Sequence, residues 1–309
     1  MKPELISWLL EGDPSIRWQV QRDLLNSSPT KYESERRKIA KEGWGARLLA
    51  LQDSSGTWGG GIYGPKWIST TYTMLTLRLL GLPVNNPQAK RACKIFLTEG
   101  MYTDGGINFF SYSWKFSETC VTGMILALLA YFRYPDEYVH SIASYLINQQ
   151  MSDGGWNCES YKGATHASFH TTISVLEGLF EYECLFPEKK KLISQVRARG
   201  HEFLLAHRLY KSHRTGKVFD PKMTTMPFPP RWKYDFIRAL DYFQACNAPR
   251  DELMSDAIEL LLTKQKKDRT WTMNSGMSGL KYFDLEKAGQ PSRWNTLRAL
   301  RILRWWNAS

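Results

Sequence analysis

The sequence predicts an all-α chain whose inner and outer helices alternate and close into an (α/α)6 toroid, a single domain spanning residues 1–309. Three observations predict it. A seven-residue phrase returns along the chain as Gln52-Asp53-Ser54-Ser55-Gly56-Thr57-Trp58, as Gln150-Met151-Ser152-Asp153-Gly154-Gly155-Trp156, and as Gln265-Lys266-Lys267-Asp268-Arg269-Thr270-Trp271, with Arg269 in the glycine slot. A degenerate copy, Asp104-Gly105-Gly106-Ile107, lies midway between the first two, so helical-hairpin units repeat roughly every 50 residues. Between the phrases, apolar residues recur at three- and four-residue spacing, the signature of helix. These patterns come in two kinds that alternate: some are apolar nearly all round and must be enclosed, others have one polar face and cover them.

Taken in order, residues 15–25 supply the first inner helix and 33–52 an outer one. Inner helices follow at 69–82, 117–132, 168–182, 234–246 and 295–306. Outer helices follow at 87–99, 136–150, 188–208 and 250–265. Ser117 and Ser168 stand where N-caps of inner helices belong, and Pro135-Asp136 and Pro249-Arg250-Asp251 precede outer ones. An inner set this apolar is better buried by closing a ring than by an open solenoid. Two units are lengthened, by residues 210–230 and 272–291 (the latter with Lys281), and both insertions precede inner helices. Long loops at a barrel mouth commonly act as lids or specificity elements.

Composition narrows the function. The net charge of +11 carries no nucleic-acid motif. Its clusters, including Arg298, Arg301 and Arg304, read first as solvated helix faces and second as a site for an anionic ligand or an acidic membrane surface. No apolar run reaches the roughly 20 residues a bilayer requires, and the N-terminus lacks a signal-peptide core, so a cytoplasmic protein with at most peripheral membrane contact is expected. Five cysteines without a CxxC pair argue for free thiols rather than a disulfide framework.

Aligning the inner helices on their leucine pattern puts Thr71, Cys120, His170, Tyr234 and Trp294 at one equivalent position. Cys120 and His170 then share a level at the starts of adjacent inner helices, where the positive end of a helix dipole favours a thiolate and a neutral imidazole. Glu118 lies two residues before Cys120. A Glu, a Cys and a His make a three-ligand zinc set with a fourth position open. Cys158 and His166, in the loop before His170, are further candidate ligands.

The Q-x-x-x-G-x-W phrase resembles the repeat motif of the squalene and oxidosqualene cyclases, whose toroidal fold is shared by protein prenyltransferase β subunits. The resemblance covers nearly the whole chain. Lys115-Phe116-Ser117-Glu118-Thr119-Cys120 is similar to the prenyltransferase K-x-x-D-x-C phrase, and His170-Thr171-Thr172-Ile173-Ser174-Val175-Leu176-Glu177-Gly178-Leu179 to its later histidine phrase. The resemblance implies Zn2+ on Glu118, Cys120 and His170, with Lys115, and Arg17 of the first inner helix, neutralising an anionic group. The chain departs from the family at four positions: Glu118 in place of the zinc-binding aspartate, Trp67 in a diphosphate-binding histidine slot, Tyr112 in an arginine slot, and Val121 in place of a tyrosine.

Neither D-x-D-D nor D-D-x-x-D occurs, so acid-initiated cyclisation would need another acid, for which Asp235 is the best placed. Trp67, Trp114, Phe169, Trp232, Tyr234 and Trp294 near inner-helix starts would line a pocket for an apolar substrate. The expected function is thus a zinc-dependent transferase or lyase-like activity on an isoprenoid or other apolar substrate. The alternatives are a non-catalytic lipid-binding toroid and a metal-independent terpene cyclase.

Overall fold

Helix follows helix through the computed structural model, which describes residues 2–134, 137–276 and 278–308. The order is α1 (Pro3–Leu10), α2 (Pro14–Gln19), α3 (Pro29–Arg37), α4 (Gly43–Leu49), α5 (Thr70–Leu80), α6 (Pro87–Gly100) and α7 (Thr119–Tyr131). It continues with α8 (Tyr138–Asn148), α9 (Phe169–Leu185), α10 (Lys190–Ala206), α11 (Phe236–Ala245), α12 (Ser255–Thr263) and α13 (Arg293–Trp306). The one sheet among the described residues is a two-residue antiparallel pair, Trp271–Thr272 with Pro291–Ser292. No helix among the described residues is long and apolar enough to cross a membrane.

Helices α5, α7, α9, α11 and α13 are the expected inner set, and each has one or more buried residues in every turn. They touch in sequence. Helix α5 packs on α7, α7 on α9 and α11 on α13, and α13 returns onto α2. Polar bonds complete the series: Trp18 Nε1 donates to Leu80 O at 2.9 Å, joining α2 to α5, and Arg238 forks onto Glu177 at 2.7 and 3.1 Å, joining α11 to α9. The α7–α9 approach is closest. A Cβ on Gly178 would sit 2.5 Å from the Gly123 carbonyl oxygen, so only glycine permits that spacing.

The repeat phrases form the turns between outer and inner helices, by one set of bonds used three times. The indole N–H of Trp58, Trp156 and Trp271 donates at 2.7 Å to Leu48, Leu146 and Leu261 O respectively, capping carbonyls near the ends of α4, α8 and α12. The backbone N–H of the same tryptophans donates to Thr70, Thr172 and Thr296 Oγ1 of the following inner helix at 3.0 Å. Gln52 and Gln150 each donate across their own turn, to Gly56 O and Gly154 O at 2.8 Å, and onward to the next outer helix at Gln88 O and Val196 O. Gly56 and Gly154 have φ of +93° and +90°; Arg269 takes the same left-handed region at +68°.

Several expectations need correction. The outer helix expected over 33–52 is broken, because Gly43 adopts φ +68° where a Cβ would meet the Asp13 carboxylate at 2.0 Å. That carboxylate caps α2 through Ser15 N at 2.9 Å and also accepts from Trp44 N at 2.7 Å. The helix of 15–25 ends in a wider π turn, Val20–Leu24. Ser117 and Ser168 make no side-chain cap; the Ser117 hydroxyl turns to Asp104 Oδ1 at 2.6 Å, and Glu118 is the residue before α7. Real caps come from Asp235 on α11, through Arg238 N at 2.7 Å, and from Ser292 on α13. Pro135-Asp136 lies outside the described residues.

Candidate functional site

The starts of α9 and α11 and the two long insertions meet in one place. Met226 N donates to Asn274 Oδ1 at 2.8 Å, and Asn274 N donates back to Met226 O at 3.2 Å, so the insertions hold each other. Asn295 Nδ2 of α13 donates to Met226 O at 2.8 Å and ties the pair to that helix. A third segment joins them, with Trp67 N bonded to Leu280 O and Leu280 N to Lys66 O. Between these segments and the starts of α9 and α11 lies a pocket of about 540 Å³, walled by Trp67, Trp232, Tyr234, His170 and Asp235, with Lys66 and Lys233 at its edge.

Each wall residue is held by its neighbours. The His170 ring lies edge-on to Trp232 with centroids 5.1 Å apart, and its Nδ1 accepts from Tyr234 N at 2.8 Å. Burial, then the nearby Arg238 and Lys233 charges, depress its pKa to about 4, so the imidazole is neutral at pH 7 with its proton on Nε2. Tyr234 donates its hydroxyl to Leu209 O. Trp67 Nε1 donates to Ser278 O at 2.8 Å, and the ring stands edge-on to Tyr72 at 4.8 Å. Asp235 is 2% exposed. Burial raises its carboxyl to about 6, against the opposing pull of the Arg298 charge, the Arg238 backbone N–H and the Arg238 charge. Lys66 Nζ lies 5.6 Å from the Trp67 ring and 5.7 Å from that of Trp232.

The other predicted site residues lie elsewhere. Cys120 and Cys158 form a thiol pair at the start of α7: Cys120 N donates to Cys158 Sγ at 3.3 Å, and Cys158 Sγ sits 3.2 Å from Thr171 Oγ1. The hydrogen bond between the thiols raises the Cys120 pKa well above its usual value and lowers that of Cys158. Burial raises Glu118, with Lys66 opposing. His166 is exposed and bonded to Arg214 at 3.3 Å. Arg17 is bound to Glu35 at 2.5 Å and Gly12 O at 2.8 Å, and lines no wall of this pocket. Lys115 is exposed on its loop, bonded to Ser111 O. Trp114 packs on Phe116 and Tyr161 at the surface. Phe169 is core, against Phe203, His207, Phe219 and Tyr234. Trp294 stacks on Phe228 at 4.3 Å and faces a second, central cavity.

These positions decide how the proposed zinc ligands fit together. Cys120 and His170 do occupy first turns of adjacent inner helices, as expected. Successive residues on a helix point about 100° apart, and it is Thr171 that faces the Cys158–Cys120 pair while His170 turns to α11. A neutral imidazole has one lone pair, and His170 gives it to Tyr234 N–H. As arranged, Glu118, Cys120 and His170 do not aim three lone pairs at one point. Among the described residues no group of three His, Cys, Asp or Glu side chains is gathered to hold a metal ion.

Sequence reasoning also missed a layer of buried ion pairs below the pocket. Arg78 binds Glu181 at 2.9 Å, Arg238 binds Glu177, and Arg298 and Arg301 bind Asp241 at 3.1 and 2.6 Å. Arg298 and Arg301 thus turn inward, contrary to the solvated-face reading. A partial signal was present: Arg238 and Asp241 are opposite charges three apart on a largely apolar helix.

No family profile and no curated protein matches the sequence. Among solved structures the chain is similar to a protein from Actinoplanes, at 13% identity and a TM-score of 0.48, over 96% of this chain and 91% of that one.

Proposed function

We propose that the chain is an (α/α)6 toroid whose mouth binds a largely apolar small molecule bearing a hydrogen-bond acceptor. The ring is supported by the packing of α5 on α7, α7 on α9, α11 on α13 and α13 on α2, and by the hydrogen bonds that link α2 to α5 and α11 to α9. The ligand reading rests on one observation: the Trp232 indole N–H is buried and has no acceptor among the described residues, although its residue walls the mouth pocket. Leaving such a donor unmade costs about 1–3 kcal/mol, and a ligand acceptor seated there would recover it. The pocket's aromatic faces suit an apolar body, and Lys66 and Lys233 suit an anionic end. An isoprenoid is the class that the resemblance to cyclases and prenyltransferases implies.

A second reading, that the pocket also transfers a proton, is favoured by Asp235. A buried carboxyl titrating near 6 is poised to give or take a proton close to neutrality. Asp235→Asn keeps the helix cap and removes the proton, separating the two roles.

The test is native mass spectrometry of the purified protein with extraction of anything bound. A non-covalently held small molecule is expected on the wild type and reduced on Trp232→Phe, which keeps the aromatic wall and removes the donor. Equal occupancy in both would overturn the reading.

A further inference from the structure

Beyond the mouth pocket lies a second cavity of about 230 Å³, lined by residues of α2, α3, α5, α7, α9, α11 and α13 and by Pro230 and Arg231 at the end of the 210–230 insertion. Five of its arginines, Arg78, Arg231, Arg238, Arg298 and Arg301, face three carboxylates, Glu177, Glu181 and Asp241. Those carboxylates are already engaged. Glu177 accepts the Arg238 fork and lies 3.5 Å from Arg78; Glu181 accepts from Arg78; Asp241 accepts from both Arg298 and Arg301.

Two guanidinium groups are left under-used. Arg298 is 3% exposed, and its Nη1 is buried with no acceptor among the described residues. Arg231, directly after the insertion, lies in the wall of the cavity, and its one hydrogen bond among the described residues is long, Nη1 to Trp67 O at 3.4 Å. No carboxylate lies within ion-pair distance of Arg231 among the described residues. Burial lowers its pKa to about 10, the cost of a buried cation without a counter-charge. Asp235 feels the Arg298 charge but sits on the mouth side. Neither arginine is placed to answer a helix C-terminus: Arg298 is in the second turn of α13, and Arg231 is not on a helix.

We infer that this central cavity is an oxyanion site, in which Arg231 and Arg298 hold the carboxylate or phosphate group of a small ligand. The planar fork of arginine matches both groups. Trp18, Leu75, Phe180 and Trp294 supply apolar wall around them, so the ligand is a compact organic anion rather than a bare ion. The site is separate from the mouth pocket, and this inference stands or falls independently of what binds there.

The test is isothermal titration of the full chain with inorganic phosphate and with succinate, at constant ionic strength made up with chloride. Saturable one-to-one binding of at least one probe is expected, weakened about tenfold or more by Arg298→Met and by Arg231→Gln. Lys162→Gln, a surface charge removal, is expected to leave it unchanged. Because Arg231 lies on a loop, its variant carries the test if Arg298→Met misfolds. Absence of saturable binding by both probes, or wild-type affinity in Arg231→Gln, would overturn the inference. Loss of affinity in Lys162→Gln equal to that in Arg231→Gln would show general charge attraction and overturn it too.

Discussion

Four tryptophans divide this molecule into two regions. In the repeat turns, Trp58, Trp156 and Trp271 are fully buried and each gives its indole N–H to a helix carbonyl at 2.7 Å. In the mouth, Trp232 has its indole nitrogen buried with no acceptor among the described residues. The same residue type is closed in one region and left open in the other. The turns use the donor to bind an outer helix to its successor, so every bond contributes to holding the fold. The mouth leaves a donor unpaired among the described residues, and the central cavity leaves another on Arg298, which lowers stability and, on our proposal, is reserved for a ligand.

The sharpest way to break this contrast is to remove a tryptophan from each region. Trp156→Ala deletes a buried side chain and its cap and is expected to cost about 3–5 kcal/mol, read by urea denaturation. Trp232→Phe removes a donor that has no partner, so its cost is expected to stay within about 1 kcal/mol or to reverse sign. Equal costs would erase the distinction.

Next in size is the pH dependence of the mouth. Asp235 has a folded pKa near 6 against a usual value of 3.8, so the fold disfavours its charged form. The penalty is absent below the unfolded pKa, grows as pH rises from about 4 to about 6, and is complete above that. Asp235→Asn should therefore gain stability over wild type across that window, on the order of 2–3 kcal/mol by pH 7. Denaturation curves at pH 4 and pH 7 check it; a constant difference would show that the carboxyl is not desolvated as described.

Within the turns themselves, Gly154 and Arg269 occupy the same left-handed region, yet a Cβ on Gly154 would sit 2.4 Å from the Arg199 carbonyl oxygen. Gly154→Ala is expected to cost about 1–3 kcal/mol. Arg269→Gly, which trades strain against unfolded-chain entropy, is expected to move stability by less than about 1 kcal/mol. The smallest effect is expected from metal. Elemental analysis of wild type, Cys120→Ala and His170→Ala should find no stoichiometric zinc in any of them; zinc in the wild type that both variants lose would require His170 to release Tyr234 N–H and turn.

Much of the fold was legible because periodicity reports directly which helix faces are buried. The three repeat phrases located their turns, and the inner helices fell within a few residues of the expected bounds. The break at Gly43 was not legible, since it arises from Asp13, thirty residues earlier in the chain. The site was legible in level but not in direction. The repeat placed Cys120 and His170 in equivalent first turns, yet a one-residue difference in facing gives Cys158 to Cys120 and sends His170 to Tyr234. Arg231 directly follows a proline-rich insertion with no periodicity, and its position depends on how that insertion locks onto Asn274 and Asn295.

The most direct test of the central claim is the indole region of a ¹⁵N–¹H correlation spectrum, with Trp232 assigned by its phenylalanine variant. The probe is a detergent-free extract of cellular isoprenoids and other apolar metabolites, titrated into the protein. The account predicts that the Trp232 Nε1–H resonance moves as its missing hydrogen bond is made, while those of Trp58, Trp156 and Trp271 stay fixed. A Trp232 resonance that never moves while another indole does would contradict it.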